Sequence, residues 1–139
     1  MRIMAIDYGD AHTGVAVSDP TGFLTGDVTT IHSRKAEVVL EELTRLVQTY
    51  QVDELVMGFP RNMDGTEGPR AELYRDFAAR VEEATGLKPV LWDERRTTVD
   101  AHRILFDAVK NGKKRKKTVD AVAASLILEG YLAFRRMRG

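Results

Sequence analysis

Two rhythms of apolar and polar residues run along this chain, and the changes between them mark its elements. Residues 2–7 form a mostly apolar run that ends on Asp7, and they read as a strand. Gly14-Val15-Ala16-Val17-Ser18 reads as a second strand, joined to the first by a short glycine-containing turn, so that the two form a hairpin. Thr21-Gly22 marks another turn, with a third strand near residues 23–31. The rhythm then changes. Ala36, Val39, Leu40, Leu43, Leu46, Val47 and Tyr50 recur at three- and four-residue spacing, which predicts a helix over residues 34–50. Residues 53–58 read as a short strand, and a loop runs from Phe59 to Gly68. Pro69 suits a first helical turn, Leu73, Phe77 and Val81 mark the apolar face, and Gly86 ends that helix. Residues 88–92 are the fifth strand.

Thr97-Thr98-Val99-Asp100 can cap a further helix. The last helix carries Val119, Val122, Ala123, Leu126, Ile127, Tyr131 and Phe134 on one face. The predicted order is β-β-β-α-β-α-β-α-α. Strands that alternate with helices after an initial hairpin imply an α/β fold, a mixed five-stranded sheet flanked by helices on both faces.

Composition narrows the reading. A chain of 139 residues is expected to form one domain, residues 1–139, around a single core. With no cysteine, disulfides and thiolate metal sites are excluded. Three scattered histidines, His12, His32 and His102, argue against zinc. No apolar run approaches the roughly 20 residues of a membrane-spanning helix. The first residues look like a strand rather than a signal peptide, so a cytoplasmic location is expected. The formal net charge is zero, yet the charge is unevenly spread. Lys110, Lys113, Lys114, Arg115, Lys116 and Lys117 form one basic cluster, and Arg135, Arg136 and Arg138 another. A local field of this kind attracts a polyanion whatever the total; a solvated loop and a basic tail would look the same.

Three acids stand where structure alone hardly calls for them. Asp7 and Glu94 each follow an apolar strand, and Asp120 opens an apolar helix. Strand ends and a core helix start can bring distant side chains together. Converging carboxylates repel one another and usually need a divalent cation, so the set reads as a metal-dependent site for phosphate chemistry. Around them lie four motifs. Asp7-x-Gly9-x-x-x-x-Gly14 can be a phosphate-binding turn or a plain hairpin. The loop from Gly58 to Arg70, with Arg61 and Asn62, lies between a strand end and a helix start, where free amides can bind phosphate. Asp93-Glu94-Arg95-Arg96-Thr97-Thr98 follows an acid with two cations, and its threonines suit helix caps. In Lys116-Lys117-Thr118-Val119-Asp120, an acid in a first helical turn would also suit the helix dipole.

Taken in order, these motifs resemble the YqgF family, also called RuvX, of RNase H-like nucleases. The matching segments are Ala5-Ile6-Asp7-Tyr8-Gly9 through Gly14-Val15-Ala16-Val17-Ser18-Asp19; Gly58-Phe59-Pro60 with Asn62-Met63-Asp64-Gly65-Thr66-Glu67-Gly68; Asp93-Glu94-Arg95 with Thr97-Thr98; and Val119-Asp120-Ala121 with Ala123-Ala124 and Ile127-Leu128. The resemblance spans essentially the whole chain. The family is described both as candidate Holliday-junction resolvases and as nucleases that mature the 5′ end of 16S ribosomal RNA. It implies an RNase H-like sheet whose second strand is antiparallel to the rest, with Asp7, Glu94 and Asp120 as metal-binding catalytic acids. Two departures stand out. The family's first motif carries a basic residue or two, whereas here Asp10, Ala11, His12 and Thr13 fill those positions. Ala123 and Ala124 occupy the helical turn where junction resolvases of the superfamily place a fourth acid.

The expected activity is therefore hydrolysis of phosphodiester bonds with Mg²⁺ or Mn²⁺, two ions bridged by Asp7, one also held by Glu94 and the other by Asp120. The expected substrate is structured RNA in 16S rRNA maturation, with the ribosome or its precursors as a partner. Gly9, His12, Arg61, Asn62, Arg95, Arg96, Lys113, Lys114, Arg115, Lys116 and Lys117 are the candidate contacts to nucleic acid, giving affinity without sequence preference. The expected oligomeric state is a monomer or weak homodimer. The alternatives are a resolvase acting on branched, four-way DNA, an ATP-binding domain, and a non-catalytic nucleic-acid or ribosome-binding module.

Overall fold

The computed structural model describes residues 1–60, 65–93 and 115–138. Its order is β1 (Ile3–Asp7), β2 (His12–Ser18), β3 (Thr25–His32), α1 (Ala36–Tyr50), β4 (Glu54–Phe59), α2 (Pro69–Thr85), β5 (Val90–Asp93) and α3 (Arg115–Arg138). The helix expected after Thr97 lies outside the described residues.

The five strands form one sheet in the order β3-β2-β1-β4-β5. β2 is antiparallel to both β1 and β3, while β4 is parallel to β1 and β5 to β4. The expected mixed sheet with an antiparallel second strand is thus present. Strand alternation sorts the apolar side chains between the two faces. Met4, Ile6, Val15, Val17, Leu55 and Met57 turn toward α1 and α2. Ile3, Ala5, Ala16 and Val56 turn toward α3. Small side chains at Ala5, Ala16 and Ala124 let the α3 backbone approach the sheet closely.

α1 buries Val39, Leu43, Leu46 and Val47, as its spacing predicts. Gln51 closes it in the left-handed region at φ 52°. α2 opens on Pro69, whose missing N–H costs nothing in a first turn, and ends at Gly86 with φ 80°. Its buried stripe is Ala71, Tyr74, Phe77, Ala78 and Val81. Leu73 was expected on that stripe but is 51% exposed. Leu73 and Phe77 share one side of the helix, but the stripe that meets the core runs through Tyr74, so position 73 rolls outward.

α3 also departs from expectation. Its described part begins at Arg115, so Asp120 is at least its sixth residue rather than a first-turn acid, and the dipole does not account for it. Its buried positions are Ala124, Ile127, Leu128, Tyr131 and Leu132, whereas Val122, Ala123, Leu126 and Phe134 are only half-buried. A helix that is apolar nearly all round does not reveal its inner face by period alone. Trp92 packs edge-on against Tyr131 and Phe134, with centroids 5.7 and 5.6 Å apart, so it is a core residue.

Candidate functional site

The parallel strands β1, β4 and β5 end along one edge of the sheet. Met57 of β4 lies beside Ile6, and Phe59 lies beside Asp93 of β5. Asp7 therefore closes the central strand on that edge, flanked by the ends of β4 and of the antiparallel β2, where it pairs with Gly14. It is half-buried. Such an edge is where α/β sheets place ligands, because the loops leaving it can diverge around a crevice.

The orientation of α3 brings its N-terminal part to this level. Near the helix C-terminus the Tyr131 hydroxyl donates to the Glu54 carboxylate, and Arg135 pairs with Glu54 at 3.3 Å. Glu54 sits beside Ile3 at the start of β1. Position 120 precedes Tyr131 by eleven residues, about 16 Å of helix. Ile3 to Asp7 spans about 13 Å of strand. The helix thus runs antiparallel to β1 and carries position 120 to the level of the Asp7 edge. Position 120 is one turn before Ala124, which packs on the sheet.

Glu94 lies outside the described residues, as do Arg95 and Arg96. The chain enters that segment from Asp93, at the carboxyl end of β5. Arg61, Asn62, Lys113 and Lys114 also lie outside the described residues. Arg115, Lys116 and Lys117 are in the first described turn of α3. Among the described residues no group of three or more potential ligands forms a metal site. The expected acids are nevertheless oxygen donors only, which suits a hard divalent cation such as Mg²⁺ or Mn²⁺.

The turn after Asp7 is held by α2. The Tyr74 hydroxyl donates to the Tyr8 carbonyl at 2.7 Å and accepts from Arg70 at 2.8 Å. The Tyr8 ring stacks on Phe77 at 3.8 Å with planes 7° apart. Neither Tyr74 nor Arg70 stands out in the sequence as more than an amphipathic helix position. Gly9 has a local role, since a Cβ there would come within 2.5 Å of the His12 carbonyl oxygen. Its missing side chain is thus required by the turn itself. The loop leading to α2 is tied back by Glu67, which pairs with Arg75, whose guanidinium lies 4.7 Å from the Phe59 ring centroid.

The histidines are less scattered than the sequence suggests. His12 opens β2 and lies across from His32 at the end of β3. The register pairs residues whose numbers sum to 44, so a hairpin folded about Gly22 was the one available signal of this meeting. His102 lies outside the described residues. No described helix is long and apolar enough to cross a membrane.

Known proteins resemble this arrangement along its full length. The family model RuvX, described as Holliday junction resolvase, matches residues 1–134. A protein of Carboxydothermus hydrogenoformans, named as a candidate pre-16S rRNA nuclease, is 44% identical over 135 residues, covering 97% of this chain and 98% of that protein. One from Clostridium botulinum with the same name is 46% identical over 132 residues, covering 95% and 96%. Among solved structures, Thermus thermophilus RuvC in complex with a Holliday junction substrate superposes with a TM-score of 0.70 at 9% identity, covering 99% of this chain and 96% of that one. The fowlpox virus resolvase bound to Holliday junction DNA gives 0.60 at 13% identity, covering 97% and 99%. At such identities these two likenesses speak for the fold alone.

Proposed function

The chain belongs to the RuvX family, and from that premise we propose that it is a divalent-metal-dependent nuclease that hydrolyses phosphodiester bonds of structured RNA in the maturation of 16S rRNA. The observation that carries the reading is the place of Asp7, a carboxylate ending the central strand on the edge where β4, β5 and the start of α3 also arrive. The names of the relatives at 44% and 46% identity favour RNA as the substrate.

Asp7, Glu94 and Asp120 would hold the metal through carboxylate oxygens. Bound there, Mg²⁺ or Mn²⁺ would supply an activated water and neutralise charge on the leaving 3′ oxygen. The chain's own work is positional. β1 and its hydrogen-bonded neighbours fix the Asp7 backbone, Tyr74 fixes the residue after it, and the tight turn through Gly9 keeps the approach narrow. Arg95, Arg96 and the cations of residues 113–117 would hold the sugar–phosphate backbone, which gives affinity with little sequence preference.

A second reading is resolution of four-way DNA junctions, favoured by the description of the matching family and by the fold shared with junction-bound resolvases. Symmetric cutting of a junction requires two active sites, so a stable dimer would support it. The test is cleavage of an end-labelled structured RNA and a four-way DNA junction, side by side, with Mg²⁺, Mn²⁺ or EDTA. Metal-dependent cutting that Asp7→Asn abolishes while binding persists is the expected result, with RNA preferred. Normal metal-dependent cutting by Asp7→Asn would sink the assignment, and binding without cutting would favour a non-catalytic module.

A further inference from the structure

The Nδ1 atoms of His12 and His32 are 2.9 Å apart. Their rings meet edge-on, with centroids 4.8 Å apart and planes at 83°, and both residues are exposed. A contact of this length between two ring nitrogens holds one proton, because two lone pairs or two N–H groups facing each other would repel. The bond uses one nitrogen of each ring. The two Nε2 atoms remain, and among the described residues neither has a hydrogen-bond partner.

The tautomers then follow from counting protons. In the uncharged pair, the ring that donates through Nδ1 has a bare lone pair at Nε2, while its neighbour carries an Nε2–H. One added proton turns that lone pair into a second outward donor. The pair then has a single positive charge and two Nε2–H groups. A further proton would set two Nδ1–H groups face to face and break the contact. The two outward donors lie on the far sides of the rings, so each can serve a different acceptor, and the charge shared across the Nδ1–Nδ1 contact strengthens a bond from either Nε2–H to an oxyanion.

Its position points to which oxyanion. β2 runs antiparallel to β1, so its first residue lies on the edge where Asp7 ends β1. His12 is two residues before Gly14, the partner of Asp7, which is about 7 Å along the strand. Residues 10–13 offer no lysine or arginine for an anion there. We propose that His12, sharing a proton with His32 across their Nδ1 contact, donates through Nε2 to a backbone phosphate of the nucleic-acid substrate next to the scissile one. The proposal rests on the nuclease reading and adds a subsite to it.

The charged groups around the pair leave room for this. Asp10 lies in the β1–β2 turn, and Arg34 and Lys35 lead from β3 into α1, all three exposed. Glu37 of α1 pairs with Arg80 at 3.7 Å. Glu42 and Arg45, which line a groove of about 260 Å³ together with His32, pair with each other at 2.6 Å. Asp7 and Asp10 set against Arg34 and Lys35 come close to neutral, so the proton on the histidine pair decides the local sign.

The test is the affinity of an end-labelled RNA hairpin with a single-stranded tail, followed by fluorescence anisotropy in EDTA so that nothing is cleaved. Wild-type protein should bind roughly three- to tenfold more tightly at about pH 6 than at about pH 8. His12→Gln and His32→Gln should each remove most of that gain. At the lower pH each should also flatten the slope of log affinity against log salt by about 0.7 to 0.9, the signature of one lost phosphate contact. His12→Lys should bind tightly at both pH values, and His102→Gln should behave as wild type. If His32→Gln keeps the wild-type dependence on pH and salt, the shared-proton contact is wrong while the nuclease reading stands. If the wild type binds neither RNA nor junction DNA at any pH, both fail together.

Discussion

The Tyr74 hydroxyl donates to the carbonyl oxygen of Tyr8, 66 residues away in the chain, at 2.7 Å. One hydrogen bond thus ties α2 to the residue next to Asp7. Tyr74 is almost fully buried, and its hydroxyl bond to Tyr8 is partly shielded from solvent. Tyr74→Phe keeps the ring and removes the oxygen, leaving the Tyr8 carbonyl unpaired. The loss should be about 1 kcal/mol in chemical denaturation. Cleavage should fall by more than stability explains, roughly tenfold, with a rise in the Mg²⁺ needed for half-maximal rate, because a small misplacement of a catalytic group is costly. Unchanged Mg²⁺ dependence would make Tyr74 a packing residue only.

Gly130 tests how closely α3 lies on the sheet. A Cβ there would come 3.3 Å from Cζ2 of Trp92, and Trp92 is already wedged by Tyr131 and Phe134. A larger side chain gains helix propensity and loses packing. For Gly130→Val the packing loss should win, with a net cost of about 2 kcal/mol. Trp92 is the only tryptophan, so its fluorescence should shift with the displaced ring. A variant as stable as wild type, with unchanged emission, would show that the ring has room to move.

Gly9→Ala should strain the turn directly, because its Cβ would sit 2.5 Å from a backbone oxygen rather than from a flexible side chain. The chain must then shift between Asp7 and His12. A melting temperature several degrees lower is expected, consistent with a cost of about 1 to 3 kcal/mol. RNA cleavage measured well below that temperature should also fall, since the shift begins two residues from Asp7.

Asp19 organises the turn between β2 and β3 and gives an acid-sensitive contribution to stability. Its carboxylate accepts from the Thr21 hydroxyl and from the amides of Phe23 and Leu24. The Thr21 hydroxyl first, and then the backbone amides, hold its pKa down from 3.8 to about 2. Since the folded value is the lower one, this stabilisation is present above about pH 4 and is lost as pH falls through about 2. Asp19→Asn should therefore show a shallower fall in stability than wild type between those two values, as followed by circular dichroism. Parallel curves would mean that the turn holds without the charge.

Much of this protein follows from local pattern. The hairpin of β1 and β2, the inner face of α1, and the Pro69 start and Gly86 end of α2 all follow from side-chain spacing and turn residues, while the second strand antiparallel to the rest is what the family resemblance implies. The choice of Asp7 rests on its sequence neighbours too, since an acid closing an apolar strand is visible without coordinates. The exposed Leu73 and the face of α3 were not legible in this way. Helical period tells which residues share a side, and only the partner surface decides which side is inward.

The contacts that shape the candidate site are of a third kind. Tyr74 reaches Tyr8 because α2 packs on the sheet beside α1, and no property of either residue announces the meeting. His12 meets His32 because the β2–β3 ladder folds about Gly22 without a shift until residues 16 to 18. The sequence determined the elements and the acid at the strand end, since those depend on neighbours a few residues apart. Only the tertiary structure decided what stands next to that acid, because strand register and helix crossing are set by packing over the whole sheet.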